Sequence, residues 1–471
     1  MRSPVRVAVV GGGLAGVAAA RALVTQVPDA VVTVFEASDR VGGKLAGTEV
    51  AGITVDVGAE SMLNRRPEAV GLAREVGLGD RLVHPEPVSA ALWARGELRP
   101  IPPSVMGVPT DMGALASSHV LSPAGLLRAR ADLPVPGPSD DVSVASYVGR
   151  RLGREVVDVL VEPLLGGVYA GHASELSVQA AAPAIWALHA RGRRLAHAAA
   201  AQAASAPKAG LPPVFAGLDG GMWQLPGAVA DHPSIVVRMH ATVREISALG
   251  FGRWRLVVGP ANAAETVEAD AVVLATPAAP TARLLAPSVP VAARLLREID
   301  YASMAIVTLA VPRDQVAPET SGSGFLVPPV EGRAIKASTF ASWKWGWLGK
   351  RAGDLMLLRA SLGRAGEEHV LQRDDADLVA TAVADLSDAI GLRGPLVDAH
   401  VQRWGGGLPQ YTVGHLSRVA QIAESVAQTP GLAVCGAAYD GVGIPAVVAS
   451  AQAAAARVRD HLEGPVGRGG Q

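Results

Sequence analysis

Cysteine is almost missing: Cys435 stands alone among 471 residues. That excludes an internal disulfide framework and fits a reducing compartment. Lysine is scarce too, with only Lys44, Lys208, Lys336, Lys344 and Lys350 among many arginines. Aromatic residues make up 4% of the chain. No run of about 20 apolar residues occurs, which argues against a membrane-spanning helix and leaves peripheral membrane contact open. A formal net charge of −1 gives no electrostatic footprint for nucleic acid. The opening MRSPVRVAVVGGG lacks the basic leader, apolar core and cleavage site of a secretion signal, so the expected location is cytoplasmic. No Ser/His/Asp set, metal-spaced Cys/His cluster or pair of catalytic carboxylates is recognisable, so no catalytic protein base is named.

What is present is a globular composition, 49% hydrophobic and 18% charged, long enough for about two to three domains. The stretch VRVAVVGGGLAGVAAARALV reads as a strand apolar on both faces, a glycine turn and a helix of small residues. Gly11, Gly13 and Gly16 fit the G-x-G-x-x-G dinucleotide fingerprint. They serve a tight turn, close approach to a pyrophosphate and close helix–strand packing, in that order. The helix N-terminus offers free N–H groups and the positive end of its dipole to phosphate. A second strand, AVVTVFEA, brings Glu36 to its end, where a carboxylate accepts from a ribose 2′-OH and disfavours NADP.

Next comes ASDRVGGKL, in which Arg40, Gly42, Gly43 and Lys44 suit a further close pass along a dinucleotide. They resemble the extension that follows the ribose-binding acid in one large class of FAD oxidoreductases, which favours FAD over NAD; the alternative is a solvated basic turn. The following DVGAESMLNRRPE is expected to carry small residues past a flat ring system. Arg65 and Arg66 are either helix-start charges or guanidinium forks for substrate carboxylates.

From about Leu82 to Lys208 the pattern becomes helical, broken by Pro and Gly. GLDGGMWQLPGAVA, a strand pair in SIVVRMHATVREISAL and the strand DAVVLATPAA are expected to return the chain to the nucleotide domain. MAIVTLAV, RAIKASTF and DLMLLRASL suggest a mixed sheet. Trp343, Trp345 and Trp347 crowd together in SWKWGW, where packing or an amphipathic surface is the commoner cause and a substrate wall the sharper one. The domains expected from this are a discontinuous FAD-binding domain over 1–81, 209–283 and 401–471, a helical domain over 82–208, and a substrate-binding domain over 284–400. Near the end, CGAAYDGVGIPAVVASAQAAAARV again clusters glycines before a helix. Gly441 and Gly443 are expected to let the backbone approach a ligand, and Pro445 to sit in the first helical turn.

Together these stretches resemble the oxygen-dependent porphyrinogen oxidases of the bacterial protoporphyrinogen/coproporphyrinogen type. GGGLAGVAAA and DRVGGK are shared with many amine oxidases and desaturases, whereas EPLLGGVYAG, LPQYTVGH and YDGVGIP are more specific. The resemblance implies an α/β fold: an FAD-binding Rossmann-like domain, a mixed-sheet substrate domain and a helical insertion, as in FAD-linked amine oxidases. It implies FAD contacts from Gly11, Gly12, Gly13, Leu14, Ala15 and Gly16, and from Glu36, Ala37 and Lys44. Further contacts would be Gly58, Ala59, Glu60 and Ser61, then Val243 and Trp404, then Val442, Gly443 and Ile444. The segment STFASWKWGW departs from the family around Lys344 and Trp345, which leaves the substrate wall undefined.

The implied reaction removes six electrons from coproporphyrinogen III in three two-electron steps, with dioxygen as acceptor and hydrogen peroxide as product. The flavin carries this chemistry and the protein positions the ring. Candidate partners for substrate carboxylates are Arg65, Arg66, Lys344 and Arg359, and the next haem-pathway enzyme is a candidate protein partner. Alternatives are a protoporphyrinogen IX oxidase, a flavin amine oxidase or desaturase, and a non-catalytic flavin-binding scaffold. A nicotinamide dehydrogenase is disfavoured by DRVGGK and by the lack of a second fingerprint.

Overall fold

A computed structural model describes residues 4–86, 89–205 and 212–464. Lys208 and the expected boundary at 208/209 lie outside the described residues. The first strand, Val5–Val10, is buried from Val7 onward. Val7 and Val9 face one hydrophobic cluster and Ala8 and Val10 face another, because successive strand residues point to opposite sides. This is why the segment is apolar without alternation. It is the middle strand of a five-stranded parallel sheet in the order Ile235–Arg238, Ala30–Phe35, Val5–Val10, Ala271–Leu274, Leu432–Val434. The direction of chain progression reverses beside Val5–Val10, and ligands of such sheets bind at that switch point.

Two long helices, Leu14–Gln26 and Ile444–Glu463, pack on one face of this sheet. Their contact surfaces are small residues, including Ala15, Ala18 and Ala19 on one side and Ala451, Ala454 and Ala455 on the other. SIVVRMHATVREISAL does form two strands, but they part company. Ile235–Arg238 joins the parallel sheet, and Val243–Gly250 opens a three-stranded antiparallel sheet with Arg253–Val258 and Glu265–Ala269.

The second large layer is a seven-stranded mixed sheet, in the order Asp398–Pro409, Tyr301–Pro312, Leu355–Leu362, Ile335–Phe340, Gly324–Leu326, Ala91–Ala94 and Glu97–Pro100. Helix Asp375–Ile390 covers its back, where Leu378, Ala382 and Leu386 meet Val307, Leu309 and Leu358. Two features differ from the boundaries expected from the sequence. Ala91–Pro100 falls in the stretch read as helical, yet pairs into this sheet through Phe325 and Leu326. Strand Asp398–Pro409 runs across residue 400 because it pairs along most of Tyr301–Pro312. The helical core proper starts at Met112–Ser117 and is built around Tyr147, Leu152, Leu160 and Leu165.

The tryptophan cluster divides between packing sites. Trp345 is buried with Val50, Val55 and Val57, while Trp343 meets Phe340 edge-on behind the sheet.

Gly16 sets the tightest contact in the nucleotide layer. A Cβ there would lie 1.8 Å from the Gly11 carbonyl oxygen. Gly16→Ala is therefore expected to lower apoprotein stability by roughly 3 kcal/mol, the upper range for overpacking. Gly71→Ala, on an exposed helix position with nothing within 4 Å, should leave the unfolding midpoint unchanged or raise it. Thermal unfolding of the two variants side by side checks this; equal midpoints would refute the close-packing argument.

Candidate functional site

The glycine loop leaves the first strand at the switch point. Gly11 has φ +105, its N–H donates to the Phe35 carbonyl at 2.8 Å, and a Cβ would press on Ala275 O at 3.0 Å. Gly13 has open space where a side chain would stand, its nearest neighbour being Gly43 Cα at 4.0 Å. It caps helix Leu14–Gln26 with no side chain over the free N–H groups. These are the features of an anion cradle at a helix N-terminus. The two glycine turns are bound to each other, with Gly42 N–H donating to Gly12 O at 2.8 Å.

Glu36 stands just past strand Ala30–Phe35. One carboxylate oxygen accepts from Gly12 N–H at 2.6 Å and the other from Ser38 N–H at 2.8 Å. A carboxylate has capacity beyond two bonds, so a ribose hydroxyl can still donate to it.

A cleft of about 470 Å³ opens from this loop. Its walls include Gly11, Gly13, Leu14, Ala15, Glu36, Ala37 and Val243, together with Lys44, Ala59, Val442 and Ile444. All of these were singled out in the sequence. Gly12, Gly16, Gly58, Glu60, Ser61, Trp404 and Gly443 are not wall residues. Gly12 and Gly16 act behind the wall, through the Glu36 bond and the helix contact already described. Gly436, Ala437 and Ala438 line the cleft from the C-terminal glycine stretch that was expected to pass the ligand. Ala275, Thr276, Pro277 and Tyr301 line it without having been expected to. The first three follow a parallel strand at its C-terminal end, a signal that placement at the switch point makes readable. Tyr301 begins a long strand and carries no local signal.

The segment Gly58–Ser61 is held by the seven-stranded sheet. Gly58 allows its backbone to pass Lys44, since a Cβ would fall 1.9 Å from Lys44 O. Trp404 Nε1 donates to Val57 O at 2.9 Å, and Arg359 donates to Gly58 O at 2.6 Å. Glu60 accepts from Lys344 Nζ at 2.6 Å and also from Arg359. Burial pushes the Glu60 carboxyl up, but the Lys344 and Arg359 cations outweigh it and hold the group near about 2. Lys344 and Arg359 were expected to meet substrate carboxylates; their partner here is Glu60, because burial requires each charge to be matched. Asp56 lies in the same buried cluster. Burial pushes it up to about 6, against the N–H groups of Met222 and Trp223 and the Arg359 cation, which pull it down.

The other two cations differ from these. Arg66 caps helix Pro67–Glu75 and pairs with Glu68. Arg65 is exposed and has no ion pair among the described residues.

The C-terminal glycines also separate in role. Gly441 has φ +142, and a Cβ there would meet Ala446 Cβ at 2.6 Å. Gly443 sits in ordinary extended backbone (φ −71, ψ 147) as the cap of the last helix, with only Pro445 Cδ, at 3.9 Å, near its missing side chain. Its freedom is therefore spatial, not conformational.

The sequence signature of flavin containing amine oxidoreductases matches residues 14–459. A Mycobacterium tuberculosis protein named coproporphyrinogen III oxidase is 37% identical, over 98% of this chain and 98% of its own. One of the same name from Bacillus subtilis is 30% identical, over 97% and 98%. Among solved structures, a candidate protoporphyrinogen oxidase from Exiguobacterium aligns with a TM-score of 0.85 and 31% identity, over 98% of this chain and 99% of its own.

This geometry can be tested at two residues. Glu60→Ala leaves Lys344 and Arg359 without a counter-charge and should cost about 3–5 kcal/mol in urea unfolding. Because the Glu60 pKa is lowered from 4.5 to about 2, its contribution is present above pH 4.5 and is lost as pH falls through that window. Glu60→Gln should flatten that acid loss; an unchanged acid profile would refute the charge assignment. Gly443→Val should fold normally, since the site has room, yet purify without flavin. Full flavin content in that variant would show that Gly443 does not face the cofactor.

Proposed function

The chain belongs to the family of flavin-containing amine oxidoreductases, and within it we propose that it is an FAD-dependent coproporphyrinogen III oxidase. The observation that carries this reading is the 37% identity, across 98% of both chains, to a protein named coproporphyrinogen III oxidase. The cleft walls suit FAD in particular. Gly11–Gly13 and the helix N-terminus would hold the pyrophosphate, Glu36 the ribose, and Lys44 with residues 436–444 the ring end. Bound FAD would take hydride equivalents from the porphyrinogen and pass the electrons to dioxygen. Over three rounds, six electrons and six protons leave the macrocycle and three dioxygen molecules become hydrogen peroxide.

The chain's own contribution is to bind, orient and balance charge. The last helix begins at the cleft with Ile444 and presents the positive end of its dipole there, which favours negative charge at that end. Glu60, Lys344 and Arg359 fix the segment Gly58–Ser61, which carries the wall residue Ala59. Arg65 is the one of the four candidate cations with no ion pair among the described residues, which leaves its guanidinium free for a substrate carboxylate. Arg66, Lys344 and Arg359 would each first have to leave an acid. No helix among the described residues is long and apolar enough to cross a membrane. A cytoplasmic enzyme that hands its product to the next haem-pathway enzyme is the reading adopted.

Protoporphyrinogen IX is the second reading, favoured by the candidate protoporphyrinogen oxidase from Exiguobacterium. Steady-state oxidation of both substrates, followed by porphyrin fluorescence in air, decides between them. Higher kcat/KM is expected for coproporphyrinogen III, and a clear preference for protoporphyrinogen IX would overturn the choice. Flavin that stays oxidised on anaerobic mixing with either substrate would overturn the enzymatic reading itself.

A further inference from the structure

The loop between the last strand and the last helix supplies Gly436, Ala437, Ala438 and Val442 to the cleft wall, yet it does little to hold its own shape. Gly436 and Gly441 have φ of +130 and +142. Among the described residues, its one internal backbone bond is Tyr439 N–H to Gly436 O, a long 3.4 Å. Gly436 N–H donates to Ser450 Oγ of the last helix at 3.1 Å, and the rest of the turn is met by two side chains from the QYTVGH stretch. Tyr411 Oη donates to Ala437 O at 2.7 Å and accepts from Gly441 N–H at 2.8 Å, bridging the two ends of the turn. His415 Nε2 meets Tyr439 O at 3.0 Å in the middle. The two rings stack at 3.8 Å with planes 15° apart.

We propose that Tyr411 and His415 are positioning residues that set the shape of the flavin-facing loop 437–441, so that cofactor affinity depends on a tyrosine hydroxyl behind the site. The inference rests on the flavin reading of the cleft. Both rings are suited to the task. Tyr411 is 2% exposed and His415 fully buried, so water cannot replace bonds they give up. Burial pushes the Tyr411 hydroxyl up, which keeps it a donor, and pushes His415 down to about 4, which keeps its ring neutral with one N–H. That N–H belongs on Nε2, facing the Tyr439 carbonyl.

Tyr411 is itself fixed from the helical region. Its carbonyl accepts from Ser177 N–H at 2.8 Å, and Asp141 accepts from both Ser177 Oγ and Gly414 N–H. The helical insertion thereby reaches the cofactor wall through Tyr411, without contributing to the wall.

The test is Tyr411→Phe, which keeps the ring and its stack and removes only the hydroxyl. Apoprotein is titrated with FAD, and turnover is measured with and without saturating FAD. Expected are at least tenfold weaker FAD binding, an altered flavin absorption band, and recovery of most of the turnover when FAD is in excess. His415→Phe keeps the stack and drops only the bond to Tyr439; it should weaken FAD binding in the same direction but less. FAD affinity within twofold of the parent in both variants would overturn the proposal. So would a loss that excess FAD does not repair and that tracks a fall in apoprotein stability. If the parent protein itself binds no FAD, the flavin reading fails instead, which is a separate outcome.

Discussion

A carboxylate buried between two cations joins the two halves of this molecule. Glu60 stands on the segment that leaves the nucleotide layer, while Lys344 and Arg359 come from the sheet layer, 284 and 299 residues later. A buried ion pair adds little net stability compared with apolar packing, but breaking one is expensive. It therefore fixes a geometry more than it strengthens a fold. Here the fixed object is the backbone of Gly58–Ser61, because the same Arg359 also donates to Gly58 O. Since Gly58 in turn packs directly on Lys44 O, the triad ties together the two segments whose Lys44 and Ala59 line the cleft.

Elsewhere around the cleft, polar groups likewise hold backbone in place. Gly13 leaves open space at the helix N-terminus, Gly11 and Gly16 allow strand, loop and helix to close on one another, and Glu36 holds the loop through Gly12 N–H. Tyr411 and His415 bond to the backbone of loop 437–441 as Arg359 does to that of Gly58. A flat cofactor has to be gripped along its length, and backbone can approach it more closely than side chains can. Such backbone still needs its donors and acceptors matched. The polar residues behind each wall meet that need.

This division explains what could be read from the sequence. The fingerprint glycines and Glu36 were legible because their spacing is local and each position has a steric or electrostatic reason. Three strands of the mixed sheet, Tyr301–Pro312, Ile335–Phe340 and Leu355–Leu362, were legible from their apolar and β-branched content. The pairing of Glu60 with Lys344 and Arg359 was not, since nothing near any of the three specifies a partner so distant in the chain. Arg359 was read as a substrate contact because the substrate's carboxylates need cations, and a protein carboxylate satisfies such a cation equally well. Strands Ala91–Ala94 and Glu97–Pro100 were missed for a similar reason. They are four residues each, and what makes them strands is the edge offered by Gly324–Leu326.

The two glycine clusters that frame the chain do different physical work. At the N-terminal one, Gly11 and Gly16 are needed because atoms are already too close for a Cβ. At the C-terminal one only Gly441 has that character, while Gly443 is in a conformation open to any residue and has empty space beside it. Such open space is what the proposed cofactor contact at residue 443 requires. The lining of the cleft by the neighbouring Val442 and Ile444 puts that space beside the end of the cleft where the ring is assigned. On the proposed function, a side chain at residue 443 would compete with the cofactor and not with the fold.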